Sequence, residues 1–423
     1  METDNTVYQV FQTSRDLPKN YVERPHVDNL FIETLLQQNH IVIYGSSKQG
    51  KTSLRKRHLV DEDSVVISCL NTWTIADLQL AILKKIGVSL EDSSSLKKDG
   101  SVKLKFAIPL FAEVEVGGGV SQEKKYKDFA INASDTNDVI DIINDVDFKK
   151  FITLEDFHYL PIQTQKDFSI SLKAYHELSK VCFIIIGVWL ENDRITSHNG
   201  DLTGRVTSIN ADLWKEDDIQ NLFEKSEKLL NISFDEKFKR NLISKSNGNI
   251  FLVQKICLKA CHLSDIHFVQ QEQKIVGTNI AIDDEIKEEL ENQNARYRTF
   301  IYEFSKGFGK TELNLYKWIL YTLLKVEREI IENSLYEKTI RETIKENHPN
   351  KFKVTAPKLY LALGKSIELQ LKTDIKPIIF EYDENRRKIK IVDKYFILWR
   401  EYQDLTELCE LASIFTDDDD DDL

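Results

Sequence analysis

The stretch Ile41-Val42-Ile43-Tyr44-Gly45-Ser46-Ser47-Lys48-Gln49-Gly50-Lys51-Thr52 runs from a β-branched segment into a loop of the form G-x-x-x-x-G-K-[ST]. Thr52 to Leu59 can then continue as a helix. A strand, such a loop and a helix bring successive backbone N–H groups and the positive end of a helix dipole to one point, which suits phosphate. On this reading Gly45 and Gly50 let the backbone approach the ligand closely. Lys51 reaches the β and γ phosphates, and Thr52 holds Mg²⁺ through its hydroxyl. Ser47, Lys48, Gln49 and Ser53 complete the cradle, so the expected cofactors are ATP and Mg²⁺.

Working outward, Val27 to Gln38 repeats apolar residues at helical spacing (Val27, Leu30, Phe31, Leu35, Leu36), and Ser64 to Leu70 reads as a second buried strand. Helical periodicity covers Ile75 to Ile86 and Gln163 to Leu178, and Asp138 to Ile143 begins another helix. Phe151 to Leu154 and Val181 to Val188 read as strands. Their hydrophobicity is continuous rather than alternating, which predicts a parallel sheet covered on both faces. Ser101 to Val120 alternates around Pro109 and ends in three glycines, the pattern of an inserted β-hairpin serving as a contact surface or as a sheet extension.

A second constellation, Phe151-Ile152-Thr153-Leu154-Glu155-Asp156, ends an apolar strand in two acids. Phosphoryl-transfer sites need one carboxylate for Mg²⁺ and another to orient the attacking water. Glu155 is assigned the metal and Asp156 the base, in an order opposite to the commoner Asp-Glu. Arg194 and Arg205 follow the strand that ends at Gly187, and Arg205 is the preferred candidate for a catalytic arginine at the γ-phosphate, against a surface salt bridge. His158 either senses the γ-phosphate or packs.

Beyond Lys215 the pattern turns helical: Asp217 to Leu230, Asp235 to Ser246 and Ile250 to His262 form a lid, Gln270 to Asp284 a linker, and Glu285 to Phe304 a further helix. Three helices (Leu313 to Val326, Ile330 to Lys345, Pro357 to Leu371) precede two strands, Ile378 to Tyr382 and Lys388 to Val392, around Asp383-Glu384-Asn385. That succession describes a winged helix. The expected division is an N-terminal arm 1–20, a nucleotide core 21–210, a lid 211–265, a linker 266–295, a winged helix 296–402 and an acidic tail 403–423.

At 423 residues the chain exceeds what one core organises. Its net charge of -12 is uneven: Arg296 to Tyr402 holds 22 Lys/Arg against 15 Asp/Glu, leaving about -19 for the remainder. Asp417 to Asp422 read as a solvated acidic tail or as a mimic occupying a basic surface. The five cysteines lack paired spacing and read as reduced core residues, Cys257 and Cys261 included. Neither a basic-then-apolar leader nor an apolar run longer than Val181 to Leu190 is found, so a cytoplasmic protein without a membrane span is expected. Outside the nucleotide core there is no nuclease-like or protease-like cluster.

The order of Tyr21-Val22-Glu23-Arg24-Pro25-His26-Val27-Asp28, the phosphate loop, Glu155-Asp156, the Gly187 strand and the lid resembles STAND NTPases and the related origin-recognition-type AAA+ ATPases, over roughly Tyr21 to His262. That resemblance implies an α/β P-loop core of the AAA+/STAND kind with a parallel sheet, a helical lid and a C-terminal winged helix. It also implies adenine contact near Val22 and Arg24. Ser246-Asn247-Gly248-Asn249-Ile250 is similar to the lid signature Gly-x-Pro, with Ile250 in place of proline. Arg387 to Arg400, with Asp393, Phe396 and Trp399, resembles the closing motif of archaeal-type STAND ATPases. The function implied is a slow ATPase that switches a separate partner or effector, in a setting such as bacterial antiphage defence, with homo-oligomers compatible. The alternative is a DNA-binding initiator or regulator, with Lys351, Lys353, Lys358, Arg386, Arg387, Lys388 and Lys390 as phosphate contacts. A third reading is an ATP-binding protein without hydrolysis, if the inverted acid pair is inactive.

Overall fold

Five short strands build the sheet that carries the phosphate loop. In the computed structural model, which describes residues 5–13, 16–91, 103–107, 110–116, 119–125, 128–332 and 335–414, they lie in the order Val206–Asn210, His40–Tyr44, Phe183–Ile186, Phe151–Glu155, Ser64–Ser68. Every pairing is parallel, with Val42 opposite Ile185, Thr153 opposite Ile184 and Val66 opposite Thr153. Successive residues point to opposite faces. Ile41, Ile43, Ile184, Ile186 and Ile209 therefore pack beneath Phe31 and Leu54 on one side. Val42, Ile152, Leu154 and Ile185 meet Leu78, Ile82, Phe168 and Leu172 on the other. Both faces are dry, which is why the strands read as unbroken apolar runs; each such side chain contributes about 1.5–3 kcal/mol by burial. The edge strand Val206–Asn210 escaped sequence reading because it is short, half-buried and carries Thr207, Ser208 and Asn210.

This sheet belongs to one of two units, Glu23–Tyr44 with Lys51–Ala211. Its insertion is larger than a hairpin. Ser89–Glu91, Lys103–Ala107 and Asp128–Asn132 form an antiparallel sheet, and Leu110–Val116 pairs with Gly119–Lys125. Pro109, Gly117 and Gly118 lie outside the described residues. The returning strand Asp128–Asn132 (DFAIN) was missed because only its middle is apolar.

The other unit comprises Met1–Val22, Gly45–Gly50 and Asp212–Leu423. Helices Glu216–Leu230, Glu236–Ser246 and Ile250–Leu263 match the expected lid, with Asp235 and Asn249 accepting from the first free N–H groups of the latter two. Two features depart from expectation. Residues read as linker include Lys274–Val276, a strand parallel to Ile232–Phe234. Residues read as an arm include the helix Val7–Val10, whose Val7 and Val10, with Phe11, are fully buried in the same core as Leu230 and Ile256.

The winged helix follows as Leu315–Lys325, Glu337–Asn347 and the pair Ala356–Gly364 and Ser366–Lys372, then strands Phe380–Asp383 and Lys388–Ile391. Leu335–Tyr336 pairs with Ile389 and Lys388, which adds a third strand and splits the second expected helix. The helix expected over Glu285 to Phe304 is likewise two, Ile282–Glu291 and Asn294–Lys306. Phe396 and Trp399 are fully buried beside Tyr297 and Phe300, so both are core residues.

Candidate functional site

In a parallel sheet, loops at the carboxyl ends of the strands gather side chains from distant parts of the sequence. Within the sheet unit, Lys51 opens the helix Lys51–His58 with only 7% of its surface exposed, while Thr52 and Ser53 are half-buried. Glu155 ends its strand with one carboxylate oxygen 3.4 Å from Nε of the buried Arg55, one turn along the Lys51 helix. Asp156 takes a left-handed backbone, φ 58°, a conformation that non-glycine residues adopt mainly where the surroundings impose it. Burial pushes the carboxyls of both acids up; Arg55 opposes that shift at Glu155, and Lys51 opposes it at Asp156. The acids are therefore divided between two cations.

His158 is buried with both ring nitrogens unpartnered, its ring 4.0 Å from that of Tyr159. Burial, then Lys51 and Arg194, hold its pKa down at about 3, so the ring is neutral. Arg194 lies over the Trp189 ring at 5.3 Å and within 3.9 Å of Glu191. Lys51, Asp156, His158 and Arg194 thus share one electrostatic neighbourhood.

The structure does not bring Arg205 there. Arg205 precedes its strand, and its carbonyl accepts from His40 N–H at the amino end of the sheet. Its guanidinium pairs with Glu177 at 2.8 Å. Of the two arginines considered, Arg194 is the one that lies with Lys51 about His158. Arg24 is 1% exposed, donating to the Ala211 carbonyl at 2.8 Å while its backbone N–H is held by Asp28. Its role in this structure is to fasten that corner. Val22 belongs to the hydrophobic core of the other unit.

Gly45 to Gly50 fall in that other unit. Gly45 has φ +138°, and a Cβ there would sit 2.6 Å from Oδ1 of Asp212, so any side chain would collide with the acid that holds the loop. Ser46 donates its N–H to both Asp212 oxygens (2.8 and 2.9 Å) and its hydroxyl to Oδ2 at 2.6 Å. Lys394 stands 3.7 Å from the same carboxylate. Ser47 N–H donates to the Val392 carbonyl at 3.2 Å. Lys48, with positive φ, places its ammonium 4.2 Å from the Phe251 ring centroid and 5.5 Å from that of Tyr395. Burial pulls the Lys48 pKa down, and Asp393 offsets that pull. Trp214 Nε1 donates to the Gln49 carbonyl at 3.3 Å, and the buried Gln49 amide has no partner in this structure.

The residues fit ATP and Mg²⁺ on one observation in each unit: in the sheet unit both ring nitrogens of the buried His158 lack partners on the side of Lys51, and in the other unit the buried side-chain amide of Gln49 does. Sequence reading did not single out Arg55 beside Glu155 in the sheet unit or, in the other unit, Asp212, Phe251 and the Val392–Tyr395 segment beside the loop. Only the last carried a signal, the acid-aromatic motif after Ile391.

No protein-family model matches the chain, and no curated protein sequence does. Among solved structures, the Walker-type ATPase PABY2304 of Pyrococcus abyssi is similar over 93% of this chain and 99% of its own, with a TM-score of 0.54 at 12% identity. Cdc6p from Pyrobaculum aerophilum aligns over 95% and 98%, with a TM-score of 0.40 at 14% identity. The ORC2 protein of Aeropyrum pernix aligns over 96% of each chain, with a TM-score of 0.45 at 12% identity. With the first of these and its own sheet order, the chain has an α/β fold with a parallel-sheet core, like that Walker-type ATPase, and ends in a winged-helix-like region. Among the described residues no helix is long and apolar enough to cross a membrane.

Proposed function

We propose that this chain is an ATP-binding, ATP-hydrolysing switch in which the nucleotide loop acts on the winged-helix end. The observation that carries this reading is the pair of backbone commitments in the loop: Ser46 N–H to Asp212, itself beside Lys394, and Ser47 N–H to Val392. A phosphate at the loop is held by backbone N–H groups and by Lys51, so any adjustment of the loop to its ligand is felt by Asp212, Val392 and Lys394. ATP with Mg²⁺ supplies the anhydride to be cleaved and charge neutralisation at its phosphates. Thr52 and Glu155 would hold the metal, Asp156 would accept a proton from the attacking water, and Arg194 would add positive charge where the γ-phosphoryl leaves. His158 supplies a neutral ring that can donate or accept one hydrogen bond without adding charge.

Hydrogen exchange of the full chain tests the coupling. With a non-hydrolysable ATP analogue, amides in Ser46–Gln49 and in Lys390–Arg400 should change protection together, and neither should change in Lys51→Ala. If the analogue binds and protects the loop while Lys390–Arg400 stays unaltered, the switch reading fails. The STAND resemblance supports a separate effector or partner protein as the output, with bacterial antiphage defence as a setting and homo-oligomers as a working form.

A DNA-binding regulator is the second reading, favoured by the exposed Lys358, Lys365 and Lys372, which recur every seven residues along Ala356–Gly364 and Ser366–Lys372. The wing itself is less available than its sequence suggests, since Asp383 pairs with Arg386 at 3.1 Å and Lys390 at 3.9 Å, and Arg387 lies over Tyr360. Changing the three lysines to Glu should weaken binding of a labelled duplex and flatten its salt dependence, each lost phosphate contact reducing the slope of log affinity against log salt by about 0.9. Equal anisotropy titrations for both proteins at low salt would remove this reading.

A further inference from the structure

We propose that the acidic segment Asp417–Asp422 docks within its own chain on the lysine face of the split helix Ala356–Gly364 and Ser366–Lys372. The surface is defined by described residues. Lys358, Lys365 and Lys372 are exposed on one side of that pair. Lys365 and Lys372 flank the half-exposed Phe308 ring, their ammonium groups 6.0 and 5.2 Å from its centroid. Lys351 and Lys353 extend the positive charge at the start of the helix, where Lys353 pairs with Glu312. Glu368 is the one carboxylate within the two helices, and Glu312 and Glu384 reach Lys353 and Tyr360 from outside them, so lysines still outnumber carboxylates on the face.

The end of the described chain follows helix Leu405–Leu411, which packs on the same two helices as this pair, Asn294–Lys306 and Leu315–Lys325. Ile414 is 2% exposed, and the carbonyl of Ser413 accepts from Lys317 at 2.8 Å. Lys317 neighbours Tyr316, whose ring is 5.8 Å from Phe308, between Lys365 and Lys372. Followed contact by contact, Ser413 is no more than roughly 30 Å from these ammonium groups, and the direct line is shorter. Asp417 to Asp422 stand three to eight residues beyond Ile414, a reach of roughly 10–28 Å at about 3.3–3.6 Å per residue. Six consecutive carboxylates tethered at that distance experience an effective concentration in the millimolar range, against which a free polyanion must compete. Because the opposed charges are solvent-exposed, the docking weakens with salt. The segment itself lies outside the described residues; the proposal rests on the face it would occupy and on the anchor at Ser413 and Ile414.

Two measurements on the full chain test this. A carbodiimide couples carboxylates only to amines in direct contact, and an equal mixture of isotope-labelled and unlabelled chains separates links within one chain from links between two. At low salt, peptides joining Asp417–Asp422 to Lys358, Lys365 or Lys372 of the same chain are expected, and they should vanish at high salt. A fluorescein-labelled deca-aspartate peptide should bind the chain with all six aspartates changed to Asn about tenfold more tightly than the natural chain. Adding Lys358→Ala, Lys365→Ala and Lys372→Ala should abolish that gain. Links confined to other lysines, links only between chains, or equal peptide affinity with and without the six aspartates would overturn the proposal.

Discussion

Lys51→Ala should bind a labelled ATP analogue at least about 30-fold more weakly than the natural chain, while its melting temperature moves by only a few degrees. A charge-assisted hydrogen bond between ammonium and phosphate is worth about 2–3 kcal/mol, which converts to roughly 30- to 150-fold in affinity. Lys51 is 7% exposed but surrounded by the polar groups of Asp156, His158 and Arg194, so truncation removes a charge from a polar cleft rather than opening a dry cavity. Fluorescence titration measures the first effect and thermal denaturation the second. Unchanged affinity in a folded variant would dismiss the phosphate-loop assignment altogether.

Asp156→Asn should retain ATP and slow its hydrolysis by about 10²–10⁴, the usual size of a lost general base. An amide cannot accept the proton of the attacking water, whereas the carboxylate beside Lys51 can. Single-turnover phosphate release is the measurement. In the same assay Arg194→Ala should slow turnover at least about tenfold and Arg205→Ala should leave it within about twofold, because Arg205 is spent on Glu177 at the other end of the sheet. If Glu155→Gln stalls hydrolysis with ATP retained while Asp156→Asn does not, the two acids exchange roles.

The sheet was readable because its strands are buried on both faces: Ile41 to Tyr44 and Val181 to Val188 contain little besides apolar residues, and length and context marked them as strands. The phosphate loop was readable for a different reason, since backbone requirements at Gly45 and Gly50 restrict residue type directly. Elements whose stability comes from tertiary pairing left weaker traces. Val206–Asn210 is short and largely polar and Lys274–Val276 is only three residues long, and both are held by a neighbour's hydrogen bonds, so nothing local announces them. The same holds for the site. Glu155 and Asp156 follow an apolar run and stand out, but Asp212 is one acid among many until the fold brings it against Ser46. Arg205 and Arg194 both follow the Gly187 strand in sequence, and only the topology shows that the chain has returned to the amino end of the sheet by Arg205.

The lid and winged-helix core also requires residues far apart in the order of synthesis. Val7, Val10 and Phe11 fill space against Leu230, Ile232 and Ile256, in a unit that resumes only at Asp212 apart from the loop itself. The amino-terminal segment therefore leaves the ribosome roughly 220 to 250 residues before the surface it covers exists. The sheet unit, complete at Ala211, has its whole sequence available first, while three buried apolar side chains wait for a docking place. Trimming them as an apparent leader would strip the far end of the protein of part of its core, and the damage would register in the lid although the cut was made beside residue 11.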